Sequence, residues 1–347
     1  MITIDEFPGR AIKIGGKDFL YFGGTSYLGL QTDADFQALF IKNIKKYGTS
    51  YSASRKSNIR ISIFDKAELY LSNIIGSESC ITMSSGYLAG QLVCDYFNKE
   101  DYTLNYAPNT HSALFRGQQE VYQNWHQLES DILKHQGKQQ VLFLDSIDFN
   151  GSNFPDYLPL QKLPLEDIIL VIDDSHGIGI TGKNGGGSFS YLQSLQPKEL
   201  IVTCSLGKGF GIQAGAIFAS KLIIEQLKET QFFGGSSPAT PAALATMIDA
   251  QPIFLAKREL LHRNTSLFLK NLANPLLFSA SEGHPSFNFK NEQMAILLEE
   301  NGILVTNFRY PTEKDELMGR IVLSSSHEQE DILKLCKTLN SLSNYTT

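Results

Sequence analysis

The chain has 347 residues, 42% hydrophobic and 19% charged, with a net charge of −6. It is long enough for one large domain plus a smaller one, and without a Lys/Arg run it lacks the basic stripe that nucleic-acid binding needs. No apolar run approaches the ~20 residues of a membrane span, the N-terminus has no signal-peptide pattern, and Cys80, Cys94, Cys204 and Cys336 lie in apolar segments without CxxC spacing. A cytoplasmic protein with buried, reduced thiols is expected.

In chain order, Ala11 to Phe22 has two apolar runs about Gly15-Gly16 and reads as an edge hairpin. A Gly/Tyr-rich turn, GGTSYLGL, follows. Asp33 to Tyr47 is helical by the spacing of Phe36, Leu39, Phe40 and Ile44. The polar stretch YGTSYSASRKSNIRIS is a loop, and Ile63 to Ile75 resumes helical spacing. Buried strands are predicted at Cys80–Met83, Tyr102–Asn105, Val141–Leu144, Ile168–Ile172, Leu200–Cys204 and Ala216–Ala219. Helices fall among them at Tyr87–Phe97, Ser112–Gln119 and Leu222–Lys228. Apolar strands separated by crossovers predict a mostly parallel central sheet with helices on both faces, an α/β fold. Beyond Pro238, a long helical connection broken at Pro252 leads into a small α+β domain. That domain has strands at Ser286–Phe289, Ile303–Phe308 and Arg320–Leu323, a helix at Glu292–Glu300, and a last helix opened by a capping box at Ser326 and Gln329. The chain therefore divides into an N-terminal hairpin segment (1–31), a large α/β domain (32–238) and a connecting helix with the small domain (239–347).

In parallel sheets ligands bind beyond the carboxyl ends of the strands, and the polar motifs fall there. Lys208 leaves the strand Leu200–Cys204 amid Gly207, Gly209 and Gly211. Burial lowers a lysine pKa, and such an amine forms Schiff bases; in isolation a solvated lysine in a glycine turn reads as well. Asp173 and His176, in DDSHG after another buried strand, suit a ligand, a metal or a plain turn. Together with Lys208 they have a specific use. Pyridoxal phosphate needs a carboxylate on its ring nitrogen and a lysine for its aldehyde. Ser84-Ser85-Gly86-Tyr87 opens a helix after a strand, which makes either an ordinary serine cap or an anion site for a phosphate. Ser205 could reach the same phosphate. His111 either caps its segment or stacks on a ring.

The motifs GTSYLGL, SASR at Ser52 to Arg55, SSGYLAGQ, NTHSAL, VIDDSHGIG, SLGKGFG and GRIVLSSSHEQED, in this order, resemble the α-oxoamine synthases. That resemblance spans nearly the whole chain and implies pyridoxal-phosphate enzymes of the aspartate-aminotransferase-like fold, fold type I. It implies that Lys208 carries the cofactor as a Schiff base, that Asp173 holds the ring nitrogen and His176 the ring 3′-oxygen, and that His111 stacks on the ring. Ser85, Gly86, Tyr87 and Ser205 would bind the phosphate, with Ser236 reaching the phosphate of a neighbouring subunit. Arg320 would take the amino-acid carboxylate, for which a guanidinium fork is suited, and Arg55 is a further substrate-binding candidate; no metal is implied.

This chain departs from the family pattern at Thr25 and Ser26, Phe64, Asp148 and Met318, and lacks the helix that precedes the hairpin in relatives. The GKGFG and DDSHG contexts lie nearest the biotin-pathway branch. The implied reaction is a decarboxylative condensation of L-alanine with a pimeloyl thioester carried by coenzyme A or an acyl-carrier protein. A glycine- or serine-using α-oxoamine synthase, or a non-catalytic homologue, are the alternatives. The resemblance also implies a homodimer with shared sites, FFGGSSP (232–238) marking the shared edge.

Overall fold

The computed structural model describes residues 2–117, 121–134, 137–149, 153–309 and 317–342. By contact the chain forms two compact units: one holds residues up to 37, Phe149 and residues from 252 onward, the other residues 38–148 and 152–251.

Strands β1 (Ala11–Ile14) and β2 (Lys17–Phe22) form the expected hairpin, turning at Gly15 and Gly16. The second unit then contributes β3 (Ser79–Met83), β4 (Tyr102–Tyr106), β5 (Gln139–Asp145), β6 (Ile168–Asp173), β7 (Glu199–Ser205) and β8 (Gly215–Ala219). Its sheet runs in the order β3-β8-β7-β6-β5-β4. β4 to β7 pair in parallel, whereas β8 is antiparallel to both β7 and β3. Two antiparallel pairings in succession restore direction, so β3 points the same way as β4 to β7. The segments that follow β3, β4, β5, β6 and β7 therefore all leave from one edge of the sheet, where Gly86, His111, Asp145, Asp173 and Lys208 stand.

The reason for this sheet is visible in the strands themselves. β6 is buried at all six positions and β5 at five of seven, as expected of strands covered on both faces. Phe143, Val171, Ile201 and Ile217 pack with Phe97 and Val93 of the helix Gly86–Phe97 in one core. Truncating a fully buried phenylalanine such as Phe143 to alanine typically costs about 3–5 kcal/mol.

The first unit adds β9 (Ser279–Ala280), β10 (Ser286–Phe289), β11 (Ile303–Arg309) and β12 (Leu317–Val322). They join the hairpin in a second sheet, β1-β2-β11-β12-β10-β9. The parallel pairing of β2 with β11 is why residues up to 37 belong with the C-terminal strands rather than forming a separate hairpin segment. The other limit also moves, from 238/239 to 251/252, because the helix Pro241–Asp249 lies in the second unit, where Thr246 and Asp249 accept from Asn43.

Local differences have local causes. The helix expected at 112–119 is a single 3-10 turn, Ser112–Leu114, and residues 118 and 119 lie outside the described ones. A helix at Trp125–Lys134, not anticipated, is amphipathic about Leu128 and Ile132, and Asn124 caps the Gln127 amide. The capping box at Ser326 does not form. The last helix starts at Gln329, the Ser326 hydroxyl bonds Ser324, and Asp331 accepts from the Glu328 amide instead. Because the helix begins three residues past Ser326, that hydroxyl is out of the capping position, and Asp331 in the first turn reaches back to the amide of the residue before the helix.

Candidate active site

Lys208 lies on a short helical turn, Leu206–Gly209, rather than in a loop. Ser205 caps that turn, its hydroxyl accepting from the Gly207 amide at 3.3 Å, and its own amide donates to the Ser175 hydroxyl at 2.8 Å. Gly209 is required by packing: a Cβ there would stand 2.1 Å from the Ile178 carbonyl oxygen. Strand β7 and the DDSHG turn are thereby held against each other, which brings Lys208 Nζ to 2.7 Å from His176 Nε2.

The two acids of DDSHG have different surroundings. Asp173 ends β6, is buried, and accepts from the Ser175 amide at 2.8 Å. Asp174 is fully buried and accepts from the Ser146 hydroxyl and from the Ser188 amide; burial pushes its carboxyl up to about 6, with those hydrogen bonds opposing. Asp174 is thus an anchor for the turn.

Asp145 was not among the residues singled out from the sequence. It ends β5 directly beside Asp173 and accepts from the His111 amide at 2.6 Å. Burial, reinforced by Asp173, drives its carboxyl well above the usual range, opposed by the His111 amide and by Lys208. The available signal was the one used for Asp173, an acid closing a buried apolar strand. His111 caps its 3-10 turn through Nδ1, which accepts from the Ala113 amide at 3.2 Å. Its imidazole is lowered by burial, raised by Asp173 and lowered again by Lys208. Asp145 beside Asp173, His111 bonded to Asp145 and His176 bonded to Lys208 thus gather at one edge of the sheet.

Ser85 is extended and caps the helix Gly86–Phe97, its hydroxyl accepting from the Leu88 amide at 3.1 Å. The amides of Gly86 and Tyr87 belong to the first turn, whose N–H groups have no acceptor within the helix. A Cβ at Gly86 would lie 2.6 Å from the Ser205 nitrogen, so only glycine lets this helix start so close to β7. Tyr87 is exposed. The Ser236 hydroxyl donates to the Phe232 carbonyl at the end of the helix Gln231–Gly235.

Arg55 is committed elsewhere. It makes a two-pronged pair with Glu68 at 2.8 and 3.2 Å and stacks over Phe64, while Glu68 also accepts from the amide and hydroxyl of Thr82. In the other unit, Arg320 is buried on β12, where its Nε donates to Asn288 and its guanidinium lies over the Phe149 ring.

An amine, a carboxylate and two imidazoles at one sheet edge, with a helix N-terminus packed against the end of β7, fit an aldehyde cofactor that carries a phosphate and a basic ring nitrogen. The cradle at Gly86, which a side chain would fill, is the structural observation that fits a phosphate. Among the described residues no acid, histidine and cysteine group is arranged to hold a metal, and no helix is long and apolar enough to cross a membrane.

Residues 110–339 match the family described as aminotransferase class I and II. A putative 8-amino-7-oxononanoate synthase of Rippkaea orientalis is 26% identical over 364 residues, covering 98% of this chain and 94% of the relative. Among solved structures, a serine palmitoyltransferase of Sphingomonas wittichii is similar with a TM-score of 0.79 at 18% identity, covering 99% of this chain and 92% of the other. The 8-amino-7-oxononanoate synthase of Francisella tularensis is similar with a TM-score of 0.71 at 22% identity, covering 94% and 98%. The chain belongs to the aminotransferase class I and II family, in its α-oxoamine synthase branch of pyridoxal-phosphate-dependent transferases.

Proposed function

We propose that the protein condenses L-alanine with a pimeloyl thioester, releasing carbon dioxide and the thiol carrier and giving 8-amino-7-oxononanoate. The observation that carries this reading is the 2.7 Å approach of Lys208 Nζ to His176 Nε2, in a cluster with Asp173 and His111. The similarity to 8-amino-7-oxononanoate synthases along 98% of the chain supports the choice of substrates.

When bound, pyridoxal phosphate supplies an electron sink for the pair released at the amino-acid Cα. The chain's own residues do the rest. Lys208 would hold the cofactor aldehyde covalently and would carry the proton between its own amine and the amino-acid Cα. Asp173 would keep the ring nitrogen positive, His176, which already contacts the Lys208 amine, would hold the 3′-oxygen, and His111 would lie on the ring face. The Gly86 and Tyr87 amides and the Ser205 hydroxyl bind the phosphate, with Ser85 fixing the helix start that presents those amides. Arg320 takes the substrate carboxylate in a two-pronged hydrogen bond. Ser236 reaches the phosphate of a second subunit in a homodimer. Arg55, paired with Glu68, ties its loop to the helix Ile63–Ile75. The four free, buried thiols accord with a cytoplasmic setting.

The test offers L-alanine, glycine and L-serine, each with pimeloyl, acetyl and palmitoyl coenzyme A, and identifies products by mass spectrometry. Alanine with the pimeloyl thioester is expected to give 8-amino-7-oxononanoate at the highest kcat/KM. A product only from glycine or serine moves the protein to another member of the branch. No product from any pair, with cofactor bound to Lys208, makes it a non-catalytic homologue.

A further inference from the structure

Arg320 is held by an aromatic residue that no sequence pattern singled out. Its guanidinium carbon lies 3.5 Å from the centroid of the Phe149 ring. Arg320 is only 8% exposed, yet among the described residues no carboxylate pairs with it. Its Nε donates to Asn288 Oδ1 at 3.0 Å, and the two residues face each other across β10 and β12. Asn288 Nδ2 in turn donates to the Phe149 carbonyl at 2.7 Å. Phe149, Asn288 and Arg320 thus form a closed loop: carbonyl to amide, amide to guanidinium, guanidinium back onto the ring. His284, buried, sets its ring edge-on to Phe149 at 6.0 Å.

Phe149 has φ +58°, a left-handed backbone that bulky aromatic residues avoid. Such strain persists only where the surroundings over-determine it, and here a carbonyl bond and a ring stack do so. Stacking covers one face of the guanidinium, Asn288 occupies Nε, and one Nη2 hydrogen points to the Met318 sulfur at 3.0 Å. Nη1 and the second Nη2 hydrogen remain, in a plane fixed by these contacts, as the fork that a carboxylate binds with two parallel hydrogen bonds.

We infer that Phe149 is a positioning residue for the amino-acid carboxylate, setting the plane of Arg320 so that the carboxylate is taken edge-on. This rests on the assignment of Arg320 as the carboxylate anchor.

The experiment titrates holoenzyme by calorimetry with L-alanine and with ethylamine, which is alanine without its carboxylate. Phe149→Leu and the unbranched Phe149→Met, both apolar and without a ring, are expected to raise the alanine Kd about tenfold, as loss of a desolvated cation–π contact implies. Ethylamine affinity and the thioester KM stay unchanged, and Phe149→Tyr, which keeps the ring, restores alanine binding. An alanine Kd unchanged in the leucine and methionine variants overturns the inference, as does an equal loss for ethylamine. Arg320→Lys separates the two levels. If it leaves the alanine Kd untouched, the carboxylate assignment itself fails; if it weakens alanine while the Phe149 variants do not, only the positioning role fails.

Discussion

Lys208 Nζ and His176 Nε2 stand 2.7 Å apart across two strand ends. A neutral imidazole protonated at Nδ1 presents a lone pair at Nε2 that accepts from the amine. The contact arises because β6 and β7 are parallel neighbours, so the turns after them leave at the same level. His176→Asn is expected to lower kcat/KM about a hundredfold, within the range for a lost proton-handling partner, while the folded stability changes little. Steady-state kinetics beside a urea titration checks this; unaltered kcat/KM removes His176 from the mechanism.

Gly86 touches the Ser205 backbone so closely that no side chain fits. Gly86→Ala should displace the helix start, cost about 1–3 kcal/mol of stability by overpacking, and weaken pyridoxal phosphate binding about tenfold or more through the lost amide geometry. Equilibrium dialysis against the free cofactor reads the second effect. Retention of native affinity would falsify the phosphate assignment at this turn.

The Arg55–Glu68 pair is a stability element. Both side chains are about nine-tenths buried, so removing one leaves the other charged and unpaired. Arg55→Ala is expected to cost about 3–5 kcal/mol in a urea titration, whereas a double replacement by Met and Leu should recover most of that loss. A single variant as stable as the parent, but with a raised substrate KM, would return Arg55 to the substrate-binding residues.

His327 gives the fold a pH dependence of definite sign. It is buried, stacks on Phe22, accepts the Ser324 amide at Nδ1 and donates from Nε2 to the Tyr21 carbonyl. Burial lowers its imidazole from 6.5 to about 4. A base with a depressed folded-state pKa contributes stability that is complete above the unfolded value of 6.5 and is lost as pH falls towards 4. The span corresponds to roughly 3 kcal/mol. Unfolding of His327→Gln and of the parent at pH 4 to 8 should show the parent alone losing this increment on acidification; parallel curves would refute it.

Periodicity and apolar runs located most strands and helices, because a strand buried on both faces and an amphipathic helix each leave a local pattern. Asp173, His176 and Lys208 were legible because each follows such a strand. Asp145 was equally marked, yet its importance depends on β5 lying beside β6, a neighbour relation set by crossover order. Phe149 left no signal, since its role comes from Asn288 and Arg320, far along the chain. Arg55 is a similar case: its pairing with Glu68, thirteen residues along the chain, is a relation that only the structure shows.

By itself the sequence determined the alternation of buried strands and helices, the candidate lysine and acid that follow two of those strands, and the resemblance that leads to the family, because all of these are written in short contiguous segments. Only the tertiary structure decided that the N-terminal hairpin pairs with Ile303–Arg309, that Asp145 faces Asp173, and that Phe149 lies under Arg320. Those are encounters between distant segments, fixed by strand order and packing, and a one-dimensional pattern does not carry them.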